Sequence, residues 1–368
     1  MALAERTNAK RRRRVAVVVV AVLVAAIVVV ALSRLDLSRV GPEVVTASPG
    51  WLVLAVALMA TSLVLRSLSW HEVLRAALPG THIGWWAVTR ATMIGVMGSA
   101  VFPGRLGEPS RVLVVSRHLD GSRRRLLPLL AGTVFSQTLI NLLALGVLAI
   151  VTFSAVPLGN GHATGIVVAL AIPLAIAALV VAGPRLLAIG RRSRSPRLRA
   201  VARSVERLLL HAREGLAVFA RPRYAVTAVT VQLLAWALQW MACYVVLLSL
   251  GLQHETDFAT AAAVLLAVNV SAILPATPSN VGVFQAACLV VLAAYGVGGG
   301  PGLAYGILLQ AVEVVTALAL GVPALLREGL TWGDLRRRAE EAEEEEMRSV
   351  AEASAREGAP ASAREGAE

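Results

Sequence analysis

The stretch SAVFPGRLGEPSR, residues 99–111, interrupts a long apolar part of the chain with two prolines, two glycines, two arginines and a glutamate. Proline and glycine end or bend helices, and charged side chains are costly inside a bilayer. The stretch therefore predicts a break in a helix, with charge placed at the break. What the break is for depends on the segments on either side of it.

The surrounding chain is unusually hydrophobic. Apolar residues make up 57% of its 368 residues, and the mean hydropathy is +0.71. They form six continuous blocks of 18 or more residues, each long enough to cross a hydrocarbon core about 30 Å thick: 15–32, 51–68, 126–153, 163–182, 224–250 and 303–326. Continuous rather than alternating hydrophobicity favours helices over a β-barrel. The sequence predicts an all-α polytopic membrane protein with about six full transmembrane helices, the first retained rather than cleaved as a signal peptide.

The distribution of charge predicts the topology. The net charge of the chain is +12. Its basic residues are almost all arginines, and they cluster in a few loops, which favours contact with anionic lipid over contact with nucleic acid. The basic N-terminus, 1–14, is expected in the cytoplasm. Loops 154–162 and 251–257 contain no Lys or Arg and are expected outside, whereas loop 183–223 holds eleven arginines and is expected inside. Within it, 197–219 has the spacing of an amphipathic helix lying on the inner leaflet.

Two segments fit this topology only if they enter the membrane and return. If 83–117 crossed once, every later arginine-rich loop would lie outside. A re-entrant hairpin with its tip at FPGRLGEP, residues 102–109, keeps those arginines in the cytoplasm. The same reasoning makes 258–298 a re-entrant pair that enters from outside, with its tip at LPATPSNVG, residues 274–282.

The two hairpins resemble each other in position. Residues 99–103 align with 271–275, an offset of 172, and the helices before them begin at 51 and 224, an offset of 173. The helices after them begin at 126 and 303, an offset of 177. This pattern predicts an inverted repeat, with repeat 1 at about 51–153 and repeat 2 at about 224–326, inside a transmembrane domain spanning 15–326. The charged remainder, 327–368, is expected to be a disordered cytoplasmic tail.

The tips are the candidate binding site. Pro103 ends a half-helix, Gly104 and Gly107 permit the turn, and a helix N-terminus pointing into the membrane carries partial positive charge. Arg105 and Arg111 could then receive a phosphate, with Glu108 pairing with an arginine or gating it. The alternative is that these charges form an internal ion pair that only holds the hairpin together. The candidate substrate contacts are Pro103, Gly104, Arg105, Gly107, Glu108, Arg111, Pro275, Thr277, Ser279, Asn280, Gly282 and Gln285.

Other polar residues lie within apolar segments. Ser279 or Asn280 could cap the helix that follows the second tip. Glu313 looks unpaired in the last span, where it could carry a proton, act as a counter-ion or simply hydrogen-bond to a neighbouring helix. Arg66 is expected near a helix end, with its guanidinium reaching toward water. Candidate coupling or support residues, which could equally hold helices together, are Gln137, Asn141, Asn269 and Glu313.

Catalytic chemistry has no visible basis in the sequence. H-E-x-x-H, P-loop and G-x-S-x-G motifs do not occur, and the six histidines lack ligand spacing. Cys243 and Cys288 lie in apolar segments and are expected to be buried thiols. We therefore expect no enzyme activity, no metal site and no cofactor.

Three motifs carry a family resemblance. They are R-x-x-x-W at Arg66–Trp70, P-x-R-x-G-E-x-x-R at Pro103–Arg111 and P-x-x-P-x-x-x-G-x-F at Pro275–Phe284. Over roughly 10–330 the chain resembles the lysylphosphatidylglycerol synthase transmembrane-region family, the flippase-like bacterial membrane proteins. The resemblance implies movement of a polar-headed lipid between leaflets. Some relatives carry a cytoplasmic aminoacyl transferase, which does not follow here, so synthase activity is not expected.

The chain departs from the family pattern in both halves. Ser136, Gln137 and Asn141 stand where the family often has an acid–arginine pair and an aspartate. Ser279, Asn280 and Gln285 stand where it usually has two glycines and a glutamate. We predict that Gln137 and Gln285 replace an arginine–glutamate pair with a neutral hydrogen bond, because a buried pair missing one member would cost several kcal/mol. The departures leave open a member that is uncoupled, altered in substrate or inactive.

Together these features predict a lipid translocase in a bacterial inner (plasma) membrane, with both termini cytoplasmic. Its substrate would be a phospholipid or isoprenoid-linked lipid with an anionic head group, and membrane lipids would be its partners, not nucleic acid. The alternative is a non-transporting scaffold that docks a cell-envelope biosynthesis enzyme. A membrane-embedded transferase is a third reading, for which no nucleophile or general base is visible.

Overall fold

The computed structural model describes residues 47–101, 107–119, 123–155, 218–272 and 280–329. Within these ranges the chain forms helices and turns, and none of it is strand. The helices are α1 (Pro49–Ala77), α2 (Trp85–Val101), α3 (Gly107–Ser116), α4 (Arg123–Ala155), α5 (Pro222–Ser249), α6 (Phe258–Ser271), α7 (Val283–Ala294) and α8 (Gly299–Arg327), with a 3-10 turn at Leu252–His254. The predicted spans 15–32 and 163–182, loop 183–217 and tail 330–368 lie outside the described residues.

Among the described residues, four helices are long and apolar enough to cross a membrane: α1, α4, α5 and α8, with 28 or 29 residues in each apolar segment. They match four of the six predicted spans and extend a few residues beyond them at most ends. Each continuous apolar helix satisfies its backbone hydrogen bonds internally, as a lipid environment requires. The prediction of an all-α membrane protein is confirmed for the part of the chain that the structure describes.

The other four helices are short and form two helical hairpins. In the first hairpin α2 packs against α3, and in the second hairpin α6 packs against α7. These helices have 17, 10, 14 and 12 residues. The predicted second tip, 274–282, falls between α6 and α7, whereas the predicted first tip, 102–109, includes the first three residues of α3. Glu328, just after α8, accepts a hydrogen bond from Nε of Arg90 near the start of α2 (2.5 Å), and its other carboxylate oxygen lies 3.4 Å from Nε2 of His118, just after α3. Both ends of the first hairpin therefore lie at the same end of the helix bundle.

Glycine allows the first hairpin to close tightly. A Cβ placed on Gly107 would collide with the carbonyl oxygen of Gly95 and the hydroxyl of Ser99 on α2. Gly321 of α8 packs in the same way against Met97 of α2. The sequence assigned Gly107 to a turn, but Gly107 begins α3, and what it provides is close backbone contact between helices.

In the second hairpin, α6 and α7 begin at different kinds of N-cap. Asp257 caps α6, since its carboxylate accepts the backbone N–H of Thr260 at 2.8 Å. Burial raises the pKa of Asp257, but the hydrogen bonds from Thr260 and Ala259 outweigh burial and hold the pKa below its usual value. Neither predicted residue caps α7: its N-cap is Gly282, with φ 91°, and Asn280 lies two residues earlier in the left-handed region, with φ 52°. A glycine, such as Gly282, adopts a positive φ without strain.

The helices of the two halves correspond in order and position. Their starts are 49 and 222, 85 and 258, 107 and 283, 123 and 299, which differ by 173, 173, 176 and 176 residues. Their contacts are also exchanged: α2 of the first half packs on α8 of the second, and α6 of the second half packs on α4 of the first.

The first helices of the two halves, α1 and α5, lie side by side and antiparallel. The backbone N–H of Ser48 donates to the carbonyl of Ser249 at one end, at 2.9 Å. The hydroxyl of Ser69 donates to Ala228 O near the other end, also at 2.9 Å. Between them, the hydroxyl of Ser62 donates to Ala235 O at 2.8 Å. These three hydrogen bonds join the halves at a central helix pair, with one apolar core toward each end of the pair.

Candidate functional site

Arg111, on α3, lies at the centre of a polar cluster. Its Nη1 donates to Gln137 Oε1 of α4 at 2.9 Å, and its Nη2 donates to Glu108 Oε2 at 3.2 Å. Its guanidinium carbon lies 4.9 Å from the centre of the Trp70 ring, which Thr133 fixes through a 3.2 Å hydrogen bond. The Arg111 side chain is 13% exposed and that of Glu108 is 52% exposed. The predicted pairing of Glu108 with an arginine is confirmed for Arg111.

Gln137 connects this cluster to a second arginine. While its oxygen accepts from Arg111, its Nε2 donates to the backbone carbonyl of Arg66 on α1 at 3.0 Å. Gln137 is buried. One amide thus links α3, α4 and α1.

Arg66 lies in the interior of α1, and the expectation that it sits near a helix end is wrong. The helix continues eleven residues past it, to Ala77. Its Nη2 donates to Gln239 Oε1 of α5, and its guanidinium carbon lies 5.5 Å from the centre of the Trp236 ring. Arg66 therefore contacts the second half of the molecule from the middle of α1.

Glu313, on α8, faces Arg66 electrostatically, although the two groups form no direct ion pair. The sequence presents Glu313 as unpaired, and among the described residues it forms no ion pair; Arg66 is the cation whose charge acts on it. Arg66 and Glu313 are both partly buried, and each charge partly offsets the desolvation of the other.

The other two predicted support residues, Asn141 and Asn269, make different kinds of hydrogen bond. Asn141 of α4 accepts from Gln232 Nε2 and Trp236 Nε1 of α5, both at 2.9 Å, so it contacts a neighbouring helix. Asn269 donates to Leu265 O of its own helix at 2.8 Å, so this hydrogen bond is internal to α6.

Gln285 does not pair with Gln137, contrary to the sequence prediction. Its Oε1 accepts the backbone N–H of Gly282 at 2.6 Å, and its Nε2 donates to Gln310 Oε1 at 2.5 Å. The amides of Gln137 and Gln285 thus each bind other groups, because α4 and α7 present them to different neighbours. The predicted replacement of an ion pair by a Gln137–Gln285 bond is wrong.

The structure brings together only part of the predicted site. Gly107, Glu108 and Arg111 share the N-terminal turns of α3, with Pro109 in the first turn as expected. Asn280, Gly282 and Gln285 lie at the start of α7. The other predicted contacts are outside the described residues: Pro103, Gly104, Arg105, Pro275, Thr277 and Ser279.

Sequence reasoning named Arg66 but did not place it, or the residues around it, in the candidate site. Arg66 and Trp70 are four residues apart on α1, so they share a face of that helix. That spacing was the available signal, since Trp70 then supports Arg111 while Arg66 reaches α5. Gln239 lies in an apolar segment, where an amide more often joins helices than contacts a substrate, and Trp236 gave no signal of its own.

The arrangement suits binding of an anion. Two guanidinium groups lie among apolar helices, and in each the Nε atom is buried without a hydrogen-bond partner. A guanidinium donates through a fixed fork that matches carboxylate and phosphate oxygens. Among the residues that the structure describes, no group of three or more His, Cys, Asp or Glu could hold a metal ion.

Comparison with known proteins identifies the family. No curated protein matches the chain. The family model of the lysylphosphatidylglycerol synthase TM region matches residues 15–321, which is 307 of the 368 residues and covers both hairpins and both arginine clusters. The chain therefore belongs to the lysylphosphatidylglycerol synthase TM-region family, a family of membrane proteins related to lipid metabolism or transport.

Proposed function

We propose that this protein is a lipid translocase, which moves a phospholipid or isoprenoid-linked lipid with an anionic head group from one leaflet to the other. The head group travels through the polar interior beside the first hairpin, while the acyl or isoprenoid chains stay in the bilayer. The reaction makes and breaks no covalent bond, so the protein acts as a transporter and not as an enzyme.

The observation that carries this proposal is the position of Arg111. Its guanidinium is largely buried, yet one of its partners, Glu108, is half-exposed at the start of α3. A cation kept at such a site among apolar helices marks a pathway more often than a structural strut. A phosphate replacing Glu108 would meet the guanidinium fork and the positive end of the α3 dipole. Arg105, from the tip, would add a second cation on sequence grounds.

The correspondence of the two halves supports a transport architecture. We infer an inverted repeat whose first helices, α1 and α5, cross antiparallel at its axis. We also infer that the two hairpins are re-entrant, the first from the cytoplasm and the second from outside. Transporters built this way place broken helices and their binding site between the repeats. The contacts of Arg90 and His118 with Glu328 support this for the first hairpin, since a re-entrant hairpin begins and ends on one side.

The charge arrangement also supports an active member. The amides at Gln137 and Gln285 replace charged family positions, but two arginines with facing acids remain: Arg111 with Glu108 and Arg66 with Glu313. The interior therefore retains the cations that a phosphate requires. We place the protein in a bacterial plasma membrane with both termini in the cytoplasm.

Reconstituted vesicles test the proposal. The purified full chain is inserted into vesicles that carry one fluorescent lipid at a time, with anionic, zwitterionic and cationic head groups in separate preparations. A membrane-impermeant quencher then measures how fast lipid leaves the inner leaflet. Translocation above protein-free vesicles, fastest for an anionic head group, is expected. No exchange of any lipid would contradict the proposal and favour a scaffold that docks an envelope-biosynthesis enzyme.

A further inference from the structure

We propose that Arg66 forms a second binding site for the phosphate of the lipid head group, and that Glu313 is the resident counter-ion that this phosphate displaces. The inference rests on the proposed function and names a second position on the same path. It is carried by a cluster on α1, α5 and α8 that the tip motifs do not include.

The surroundings of Arg66 match those of Arg111 group by group. An amide oxygen accepts from one side of each guanidinium: Gln137 for Arg111 and Gln239 for Arg66. A tryptophan ring lies under each, Trp70 at 4.9 Å and Trp236 at 5.5 Å. In each the Nε is buried and unbonded, which leaves a strong donor for a ligand.

The two acids, Glu108 and Glu313, differ in how they contact their arginines. Glu108 bonds directly to Arg111 at 3.2 Å, whereas Glu313 interacts with Arg66 without a direct ion pair. Glu313 therefore counters the charge of Arg66 without occupying its Nε, which is buried and has no hydrogen-bond partner. A phosphate that binds there gains a fork of donors but must compete with the field of Glu313.

The cluster lies where the two halves meet. Arg66 and Gln239 are 173 residues apart, the same offset as the starts of α1 and α5. Gln137 and Glu313 likewise sit at matching places, each fourteen residues after the start of α4 or α8. Two pairs of matching positions therefore carry a cation, an acid and two amides where the halves meet: Arg66 with Gln239, and Gln137 with Glu313. Gln137 also bonds to Arg111, which connects this cluster to the first one.

Trp236 supplies a reporter for this site. Because it lies under Arg66, an anion that binds Arg66 changes the environment of its indole. The purified full chain in detergent is titrated with dihexanoyl-phosphatidylglycerol, dihexanoyl-phosphatidylcholine and inorganic phosphate. Fluorescence of the protein is compared with that of a Trp236→Phe variant, so that the difference isolates Trp236.

The expected result is a saturable Trp236 signal with the phosphatidylglycerol probe. Glu313→Gln removes the competing charge and should tighten that binding about tenfold. Arg66→Gln alone leaves Glu313 without its cation and could fail to fold, so the deciding variant is Arg66→Gln with Glu313→Gln, which replaces both charges by amides. This double variant should unfold at a temperature close to that of the unmodified protein and lose the Trp236 signal.

Three results would overturn the proposal. They are unchanged or weaker binding in Glu313→Gln, a folded double variant that still binds the anionic probe, and inorganic phosphate binding as tightly as the lipid. The vesicle assay distinguishes failure of the Arg66 site from failure of the proposed translocation. Translocation with no effect of Glu313→Gln on binding refutes the Arg66 site alone, whereas the expected binding pattern without translocation refutes transport alone.

Discussion

The side chain of Gln137 connects the two arginines of the polar interior. Its oxygen holds Arg111 and its nitrogen holds the backbone of Arg66, so the residue orients two cations that belong to different helices. An amide can do this because it has both a donor and an acceptor. The position therefore tolerates an acceptor opposite Arg111 but not another cation.

Gln137→Arg should destabilise the protein, because it places a second guanidinium against Arg111 in a buried site. The cost of an uncompensated buried charge is about 3–5 kcal/mol. Gln137→Glu, the matched control, keeps the acceptor facing Arg111 and should cost less. Thermal unfolding in detergent measures both.

Adding Gln285→Glu to Gln137→Arg should not rescue stability, since Gln285 binds Gly282 and Gln310 instead. Rescue by that second change would show that the two side chains meet, contrary to the structure.

At the scale of elements, the hairpins depend on close contact between helix backbones. Gly95 and Gly107 face each other where α2 and α3 meet, and Gly321 brings α8 against α2. Small residues at such crossings replace the hydrophobic driving force that lipid removes. The first hairpin is thus held by its own contact and by the last helix together.

Gly107→Ala should loosen the first hairpin. Its Cβ would meet the Gly95 carbonyl, which cannot move aside without shifting α2, and such overpacking typically costs about 1–3 kcal/mol. Gly84→Ala is the matched control, because a Cβ there has nothing within 4 Å. Unfolding temperatures of both variants are compared with the unmodified protein. Equal losses at the two positions would mean that the tight contact between α2 and α3 does not exist.

At the scale of the whole molecule, the side on which each loop lies decides between a hairpin and a single crossing. Thr81 precedes α2 and Arg117 follows α3, and both are exposed. His254, between α5 and α6, is also exposed. A re-entrant first hairpin puts Thr81 and Arg117 on one side of the membrane and His254 on the other.

Single cysteines test this arrangement. Thr81→Cys, Arg117→Cys and His254→Cys are each made with Cys243 and Cys288 replaced by serine, and cells are labelled with a membrane-impermeant maleimide before and after permeabilisation. Thr81→Cys and Arg117→Cys should label only after permeabilisation, and His254→Cys before it. Opposite labelling of Thr81→Cys and Arg117→Cys would establish a single crossing.

The sequence predicted elements better than side-chain partners. Continuous apolar blocks and loop charge located four described spans and both hairpins, because these signals are local and each spans many residues. Partners could not be found in this way. The Gln137–Gln285 bond was wrong because pairing depends on how α4 and α7 rotate about their axes, and Arg66 was misplaced because α1 runs nine residues beyond the predicted end of its apolar block, residue 68. Glu108 and Arg111, one helical turn apart, were predicted correctly since that pairing is local.

The most direct test of the central claim compares lipid translocation by Arg111→Gln and Arg75→Gln in the vesicle assay with an anionic lipid. Arg75 is a matched control: it lies on α1 with its side chain 45% exposed, and its pairing with Glu72 contributes little. Loss of a charged hydrogen bond to the head group should slow Arg111→Gln roughly tenfold or more. Arg111→Lys, which keeps the charge without the fork, should be intermediate, and Arg75→Gln should match the unmodified protein. A folded Arg111→Gln protein that moves the lipid at the unmodified rate would contradict the account.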